Sequence, residues 1–324
     1  DTITLMKLDD LLFKENNNDV ISEITNTIYL LNNPSLKHSL LMGYKSHENE
    51  NGLIMDESDK WYGDPSIYDI FSESEDPDNL CFNLIHKKLK EQGIKIINPI
   101  DLATGTGRIL KQIAQKLEYD GKLYGIDINE KMCEFLNKKI KRQRVYVNNI
   151  KIIKSSIKDL PDKIKIKSSL IMSSFGFPSK FSNKKLCIEE LKAIYKLLRD
   201  DGVFITIGWD ETFNDELNLM WFKYIPDDIK ADNFEEWRKK RTQIITSPRN
   251  CSLNWFNRGI SVPLQFASLS ESIYIMGHLF GRDITKEIIR NKKTEWKMSI
   301  GITYNTKQQI GQIINCLEDQ NERS

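Results

Sequence analysis

Cysteine, histidine and net charge are what this 324-residue chain has least of, and each scarcity removes a class of protein. The five cysteines (Cys81, Cys133, Cys187, Cys251 and Cys316) are odd in number, scattered and without a C-x-x-C pair. That pattern argues against a disulfide framework or a zinc site and matches reduced thiols in a cytoplasmic protein. Of the four histidines, His38, His47 and His86 have no partner at ligand spacing, so no metal is expected. Lys plus Arg (47) nearly balances Asp plus Glu (46), and a net charge of +1 gives no electrostatic basis for a dedicated polyanion binder. Two basic runs, Lys138 to Arg144 and Arg238 to Arg241, therefore read as solvated helix faces. No run is long and apolar enough to cross a bilayer, and the first residues lack a basic-then-apolar leader, so no membrane association is expected. Internal repeats and low-complexity linkers are also missing. With 40% hydrophobic residues, the chain can bury a core as one large or two smaller domains.

What is present is concentrated in Asp101-Leu102-Ala103-Thr104-Gly105-Thr106-Gly107-Arg108. Ile96, Ile97 and Ile100 precede it as an apolar strand. Ile109, Leu110, Ile113, Ala114 and Leu117 follow it at helical spacing. A tight turn of small residues between the two lets a ligand reach bare backbone amides at a helix N-terminus. Twenty positions past Gly107 a second apolar run, Leu123 to Ile126, ends in Asp127. An acid at a strand tip there is placed to accept hydrogen bonds from two ribose hydroxyls. The pair implies a nucleoside-bearing cofactor. A dinucleotide fingerprint would require a third glycine where this chain has Leu110. Asp101 would also repel a pyrophosphate, whereas it suits an ammonium group. The turn describes S-adenosylmethionine better than NAD.

On these residues, positions 96 to 210 resemble the core of a class I S-adenosylmethionine-dependent methyltransferase. Asp101, Ala103, Gly105 and Gly107 match the first motif, with alanine in the first glycine slot; Asp127 matches the second. Ser155-Ser156-Ile157-Lys158-Asp159-Leu160-Pro161 matches the third, with Ser156 in place of the acid that commonly binds the adenine amino group. Leu170 to Ser174 with Phe175-Gly176-Phe177 at its mouth is the fourth, and Leu198-Arg199-Asp200-Asp201-Gly202 is a helix end and turn before the strand Val203 to Gly208. The resemblance implies a cofactor site of Asp101, Ala103, Thr104, Gly105, Thr106, Gly107, Asp127, Ile128, Ser155, Ser156, Ile157 and Ser173. Tyr68, in a segment similar to the family's lid helix, would lie near the methionine end. S-adenosylmethionine would enter and S-adenosylhomocysteine leave. The Phe175 loop lacks the Asn/Asp-Pro-Pro-aromatic sequence of nucleic-acid amino-methyltransferases, which favours a small-molecule acceptor and disfavours nucleic acid. An RNA or protein methyltransferase and a non-catalytic interaction subunit stay open as alternatives.

The expected fold class is α/β, a doubly wound, mostly parallel seven-stranded sheet with an N-terminal helical cap. Residues 1–95 read as that cap: Leu5, Leu8, Leu11 and Leu12, then Val20, Ile21, Ile24, Ile28 and Leu31, form apolar stripes before a break at Asn33-Pro34. Short helices follow near Ile67–Phe71 and Leu80–Leu89. Residues 96–320 form the methyltransferase core, with a helical insertion near 212–258. Strands are expected at 96–101, 122–127, 150–154, 168–174 and 203–208, alternating with helices at 109–118, 130–141 and 185–198. Beyond 210, helices are expected at Glu216–Tyr224, Phe234–Ile245, Ser270–Phe280 and Thr306–Leu317, and strands at Val262–Ala267 and Trp296–Thr303.

Methyl transfer from a sulfonium is an in-line displacement with an excellent leaving group. Holding the two reactants together supplies much of the acceleration. A base helps only where the accepting atom carries a proton that must leave. Asp210 and Glu211, just past a strand end, are the candidate bases, or else helix-capping or solvated carboxylates. His278, in the apolar stretch Tyr274 to Phe280, is a third candidate or a structural histidine. Trp61, Tyr62, Phe175, Phe177 and Trp209 are the candidate substrate walls, although aromatics fill cores as readily.

Overall fold

The computed structural model describes residues 63–117, 119, 121–142, 149–177, 184–210, 215–217, 219–220, 252–280 and 282–322. The apolar stripes of residues 1–60, most of the helix read from Glu216 and the helix read at Phe234–Ile245 lie outside them. Two helices open the described chain, α1 (Pro65–Ser74) and α2 (Leu80–Glu91). Then come β1 (Ile100–Leu102), α3 (Arg108–Lys116), β2 (Leu123–Asp127), α4 (Glu130–Arg142), β3 (Ile150–Lys154), the single turn α5 (Leu160–Lys163) and β4 (Ser168–Ser174). After α6 (Lys184–Leu197) and β5 (Leu198–Trp209), the chain continues through β6 (Trp255–Gln265), α7 (Leu269–Phe280), α8 (Arg282–Asn291), β7 (Glu295–Thr306) and α9 (Lys307–Glu322).

The strands form one seven-stranded sheet in the order β3-β2-β1-β4-β5-β7-β6. β1 pairs in parallel with β2 and β4, β2 with β3, and β4 with β5, while β7 runs antiparallel to β5. The expected doubly wound, mostly parallel architecture is therefore observed. Strand order reverses between β1 and β4, and in such sheets the crevice at the carboxyl ends of the two diverging strands is where ligands bind. The motifs bring Asp101, Asp127 and Phe175 to that rim.

Burial follows from composition. β1, β2 and nearly all of β4 are buried on both faces, as a central parallel sheet covered by helices requires. Ile100, Leu102, Ile126, Ile171 and Phe204 join Leu191, Ile194 and Ile310 in one apolar cluster, which places α6 and α9 against the sheet.

Several boundaries differ from the expected ones. β1 is shorter, because Pro99 has no N–H for the ladder and Asn98 takes a positive φ of 47°. Ile97 instead donates its N–H to Ser169 Oγ and accepts from the Ser169 N–H. β5 begins at Leu198, so Leu198 to Gly202 is strand rather than turn; its pairing with β4 shifts register between Ser168 and Leu170 to absorb the irregular residues. α8 is an additional helix. β6 starts at Trp255, earlier than the strand expected from Val262.

Cys81, Cys133 and Cys187 are buried thiols outside any disulfide, and burial pushes the Cys133 and Cys187 thiols up to about 11 and about 12. Cys316 is disulfide-bonded, which corrects the expectation of reduced thiols throughout. Among the described residues no group of His, Cys, Asp or Glu could hold a metal, and no helix is long and apolar enough to cross a membrane.

Contacts divide the described residues into two compact units, the smaller one holding residues 63–75 and 263–296. Within that unit α1 touches α7, which in turn packs on α8. Phe266 and Trp296 meet edge to face at 5.7 Å, and Ser272 Oγ donates to the Lys293 carbonyl. The larger unit carries the strand-end rim.

Gly125 shows how tightly that rim is seated. A Cβ there would lie 2.7 Å from Leu110 Cδ1, 2.8 Å from Ile152 Cδ1 and 3.2 Å from Thr104 Cγ2. Gly125→Ala is expected to destabilise the fold by about 1–3 kcal/mol. Urea unfolding checks this through a lowered midpoint at unchanged slope.

Candidate functional site

The site grows from the end of β1. Asp101 lies between Ile100 and Leu102 in a strand buried on both faces, and only 1% of it is exposed. Its Oδ2 accepts a hydrogen bond from Thr104 Oγ1 at 2.6 Å. Its Oδ1 is buried with no hydrogen-bond partner. Burial pushes this carboxyl up to about 7; the Thr104 bond pulls it down, the nearby Asp127 pushes it further up, and Arg108 pulls it down. An unmatched carboxylate oxygen in a dry setting costs on the order of 1–3 kcal/mol or more, and a ligand donor would remove that cost.

The turn after Asp101 is held by its backbone. Ala103, Gly105 and Gly107 take φ values of 53°, 52° and 89°. Alanine pays roughly 1–2 kcal/mol for the left-handed region. Its methyl also dictates the neighbouring loop, since a Cβ on Gly176 would fall on Ala103 Cβ. Gly107 is the residue before α3, and a side chain there would meet Leu136 of α4. Thr104 donates its N–H to the Ile126 carbonyl, and Lys139 of α4 reaches the Thr106 carbonyl with Nζ at 3.3 Å. Part of the basic run from Lys138 is therefore buried and tied to the turn. Thr106 Oγ1 is buried and unpartnered.

Asp127 joins the two strands electrostatically. Its Oδ2 accepts from the Gly105 N–H and its Oδ1 from the Asn129 N–H, each at 2.8 Å. Burial raises its carboxyl above the ordinary range, while the Asn129 and Gly105 amides oppose that shift. Each oxygen retains a lone pair for a hydroxyl ligand. Beside it Ile128 is 69% exposed, a large apolar side chain open to solvent at the tip of β2. Ser155 donates its N–H to the Asp127 carbonyl, and Ile157 is buried. Ser156 Oγ donates to Asp159 Oδ2 at 2.5 Å, so the serine of the third motif has a carboxylate directly behind it. Ser173, at the end of β4, is buried and donates to the Leu102 carbonyl.

These features select the ligand. Along the end of β1 and the turn into α3, Asp101 Oδ1 and Thr106 Oγ1 are both buried without a partner, and the first belongs to a carboxyl group. A pyrophosphate would face Asp101, while a cationic adenosyl compound would satisfy it. Residues 95–249 match a family model described as a methyltransferase domain. That stretch is a methyltransferase domain of the class I S-adenosylmethionine-dependent kind. The chain is 26% identical over 179 residues to the ubiquinone/menaquinone biosynthesis C-methyltransferase UbiE of Wigglesworthia glossinidia brevipalpis, covering 49% of this chain and 68% of that protein. It is 28% identical over 125 residues to the demethylmenaquinone methyltransferase of Lactobacillus johnsonii, covering 39% of this chain and 49% of the relative. Among solved structures it is similar to the plantazolicin methyltransferase BpumL in complex with S-adenosylhomocysteine, at 14% identity and a TM-score of 0.39, over 83% of this chain and 97% of that one. A likeness of that degree adds nothing to the assignment.

The methyltransferase brings Asp101, the 103–107 turn, Asp127, Ile128, Ser155, Ser156, Ile157 and Ser173 to one rim. Phe175, with φ 57°, donates its N–H to the Ile207 carbonyl and meets Trp209 edge to face at 5.8 Å. Phe177 turns inward, buried against Phe204 at 5.1 Å. Asp210 is 1% exposed, and its carboxylate receives Arg258 Nε and Nη2 at 3.1 and 3.0 Å and the Gly259 N–H at 3.1 Å. That bidentate pair fastens β5 to β6. Tyr68 on α1 and the buried His278 on α7 belong to the smaller unit. Glu211, Trp61 and Tyr62 lie outside the described residues.

Sequence reasoning missed Arg108, Gln112 and Arg258. Arg108 and Gln112 stand one turn apart on α3, a spacing visible in the sequence. Nothing local marked Arg258 as the partner of Asp210.

Asp101 gives the ligand-free methyltransferase a signed pH dependence. The unfolded carboxyl ionises near 3.8 and the folded one near 7, so stability is intact below the first value and is lost as pH rises through the second. Asp101→Asn lacks this loss. Ligand-free melts are expected to coincide near pH 4 and to separate by on the order of a few kcal/mol above pH 7, with the variant more stable.

Proposed function

We propose that the protein transfers a methyl group from S-adenosylmethionine to a small-molecule acceptor by in-line displacement. The buried, unpartnered Asp101 Oδ1 carries this reading, because the donor's amino acid portion supplies the cation that this oxygen lacks. Asp127 would hold the ribose hydroxyls and Ile128 would cover the base. Ser156, backed by Asp159, would accept from the adenine amino group. The bound donor supplies an electrophilic methyl on a positively charged sulfur. The protein's own part is to fix that group, to exclude water and to hold the acceptor in line.

A small acceptor is supported by three features. The two curated relatives carry names that refer to quinone methylation. The chain is electrically balanced, and the described strand ends present Phe175 and Trp209 rather than a basic track. Asp210 serves through its pair with Arg258, which shapes the end of β5. As a free base it would first have to give up that pair.

Calorimetric titration of the purified protein with S-adenosylmethionine is expected to show one site. Asp127→Asn is expected to weaken it by about 10- to 100-fold. With methyl-labelled donor and a mixed panel, label is expected in organic-extractable hydroxyarenes and quinols. Absence of binding, or label appearing in tRNA or protein instead, would contradict the proposal.

A further inference from the structure

The larger unit also carries an open groove of about 580 Å³ that shares no lining residue with the strand-end rim. It lies between α9 and the residues leading into β6. Ser252, Asn254, Gln309, Gln312 and Asp319 line it with hydrogen-bonding groups, and Cys316 joins them. The volume is that of a small-molecule site, but such sites are mostly apolar. Amides, a hydroxyl and a carboxylate suit a hydrophilic guest instead.

Two of the amides are held in one orientation. Asn254 donates both its backbone N–H and its Nδ2 to Asn305 Oδ1, at 2.9 and 3.1 Å. A half-turn of the Asn254 amide would set two acceptors together, so its Oδ1 is the atom turned away. Gln309 closes a capping box at the start of α9. Its Oε1 accepts the Thr306 N–H at 2.8 Å, and its own N–H donates to Thr306 Oγ1 at 3.3 Å. Its Nε2 is thereby left for a guest. Asp319 is the one charged side chain among the described lining residues. The groove offers an acceptor, a donor and a negative charge.

Cys316 is the reactive member of the wall. It is disulfide-bonded, whereas Cys81, Cys133 and Cys187 are buried outside any disulfide. The count leaves Cys251, outside the described residues, as its partner. Cys316 is half-buried; it packs against the main apolar cluster and also borders the groove. A disulfide that small thiols can reach is of the labile, exchangeable kind.

We infer that this groove binds a small hydrophilic aminothiol and that Cys316 is where such a compound becomes attached. Its ammonium faces Asp319, its other polar groups meet Asn254 and Gln309, and its sulfur reaches Cys316 Sγ. Attack by the thiolate forms a new S–S bond at Cys316 and breaks the bond to Cys251. Cys251 leaves as a thiolate and takes up the proton that the incoming thiol gave up, so the step needs no oxidant or reductant besides that thiol. The product is a mixed disulfide at Cys316, with α9 no longer bonded to the chain ahead of β6. Cys133 and Cys187 do not compete, because burial holds both thiols protonated.

The test uses the oxidised full chain at low ionic strength with two thiols that differ in one group, cysteamine and 2-mercaptoethanol. Reactions are quenched in acid, free thiols are alkylated, and peptides are mapped by mass. Each rate is divided by that thiol's rate on a small uncharged disulfide, which removes differences in intrinsic reactivity. The adduct is expected on Cys316 with Cys251 alkylated, and the cysteamine rate is expected to saturate at millimolar concentration. Cysteamine is expected to react on the order of fivefold faster than 2-mercaptoethanol after normalisation. Asp319→Asn, at an exposed position, is expected to abolish that preference and leave the 2-mercaptoethanol rate unchanged. The inference is overturned by an oxidised protein with no disulfide at Cys316, by a disulfide that reacts only after unfolding in urea, or by attachment at Cys251. Equal normalised rates for the two thiols, a cysteamine rate that stays linear, or a preference that survives in D319N would overturn it as well.

Discussion

A carboxylate sealed in the middle of a parallel sheet, with one oxygen matched and the other not, sets the terms for the rest of this molecule. Asp101 interrupts the apolar run of β1 at the one place where the sheet opens toward a ligand. Its burial is expensive and no described group relieves it fully: Thr104 answers one oxygen, and Arg108 offers charge without a direct bond to the other. A fold that retains such a residue at its switch point is arranged for a cation that arrives from outside. On the function proposed above, the adenosyl donor is that cation.

The surrounding structure reads as support for this one feature. The turn from Ala103 to Gly107 must pass close to Asp101 and still begin a helix, which forces three left-handed residues in five. Ala103 in the first glycine slot would be costly by itself. Here it is accommodated by Gly176 on the facing loop, which has no side chain to collide with it. Asp127 clamps Gly105, Lys139 holds the Thr106 carbonyl, and Gly125 lets Thr104, Leu110 and Ile152 close over β2. Each contact fixes the loop in advance of the ligand, so ordering it at the moment of binding costs little. The departures from the family pattern are thus paired with compensations. Ser156 has Asp159 behind it in the same way that Ala103 has Gly176 before it.

What was legible in the sequence followed from local periodicity and from motifs that carry a mechanism. The strand–turn–helix around Gly105, the acid at the tip of β2 and the buried run of β4 each have a signature within ten residues, and each is where it was expected. The illegible parts depend on partners far away in the chain. Asn98 and Pro99 shorten β1 in a way that apolar content alone does not show, and Arg199 to Gly202 enter β5 only because β4 shifts register to receive them. Asp210 looked like a free strand-end acid, yet Arg258, some fifty residues later, takes both its oxygens. Phe177 and Phe175 are two residues apart, and one faces the core while the other lines a narrow cleft beside α3. Gln112 carries no mark in the sequence, and only the structure shows its amide bonded to Asn79 with Oε1 buried and unmatched.

The central claim is that Asp101 meets the positive charge of the donor, and proton counting upon binding tests it most directly. In the free protein this carboxyl is held protonated up to about pH 7, and a cation bound beside it would ionise it. Calorimetric titration of S-adenosylmethionine at pH 6, in buffers of different ionisation enthalpy, should therefore show release of about one proton per donor bound, fading toward pH 8. The same titration of Asp101→Asn should show none of this release. Binding to the wild type at pH 6 with no proton released, or with the same release from the variant, would contradict the account.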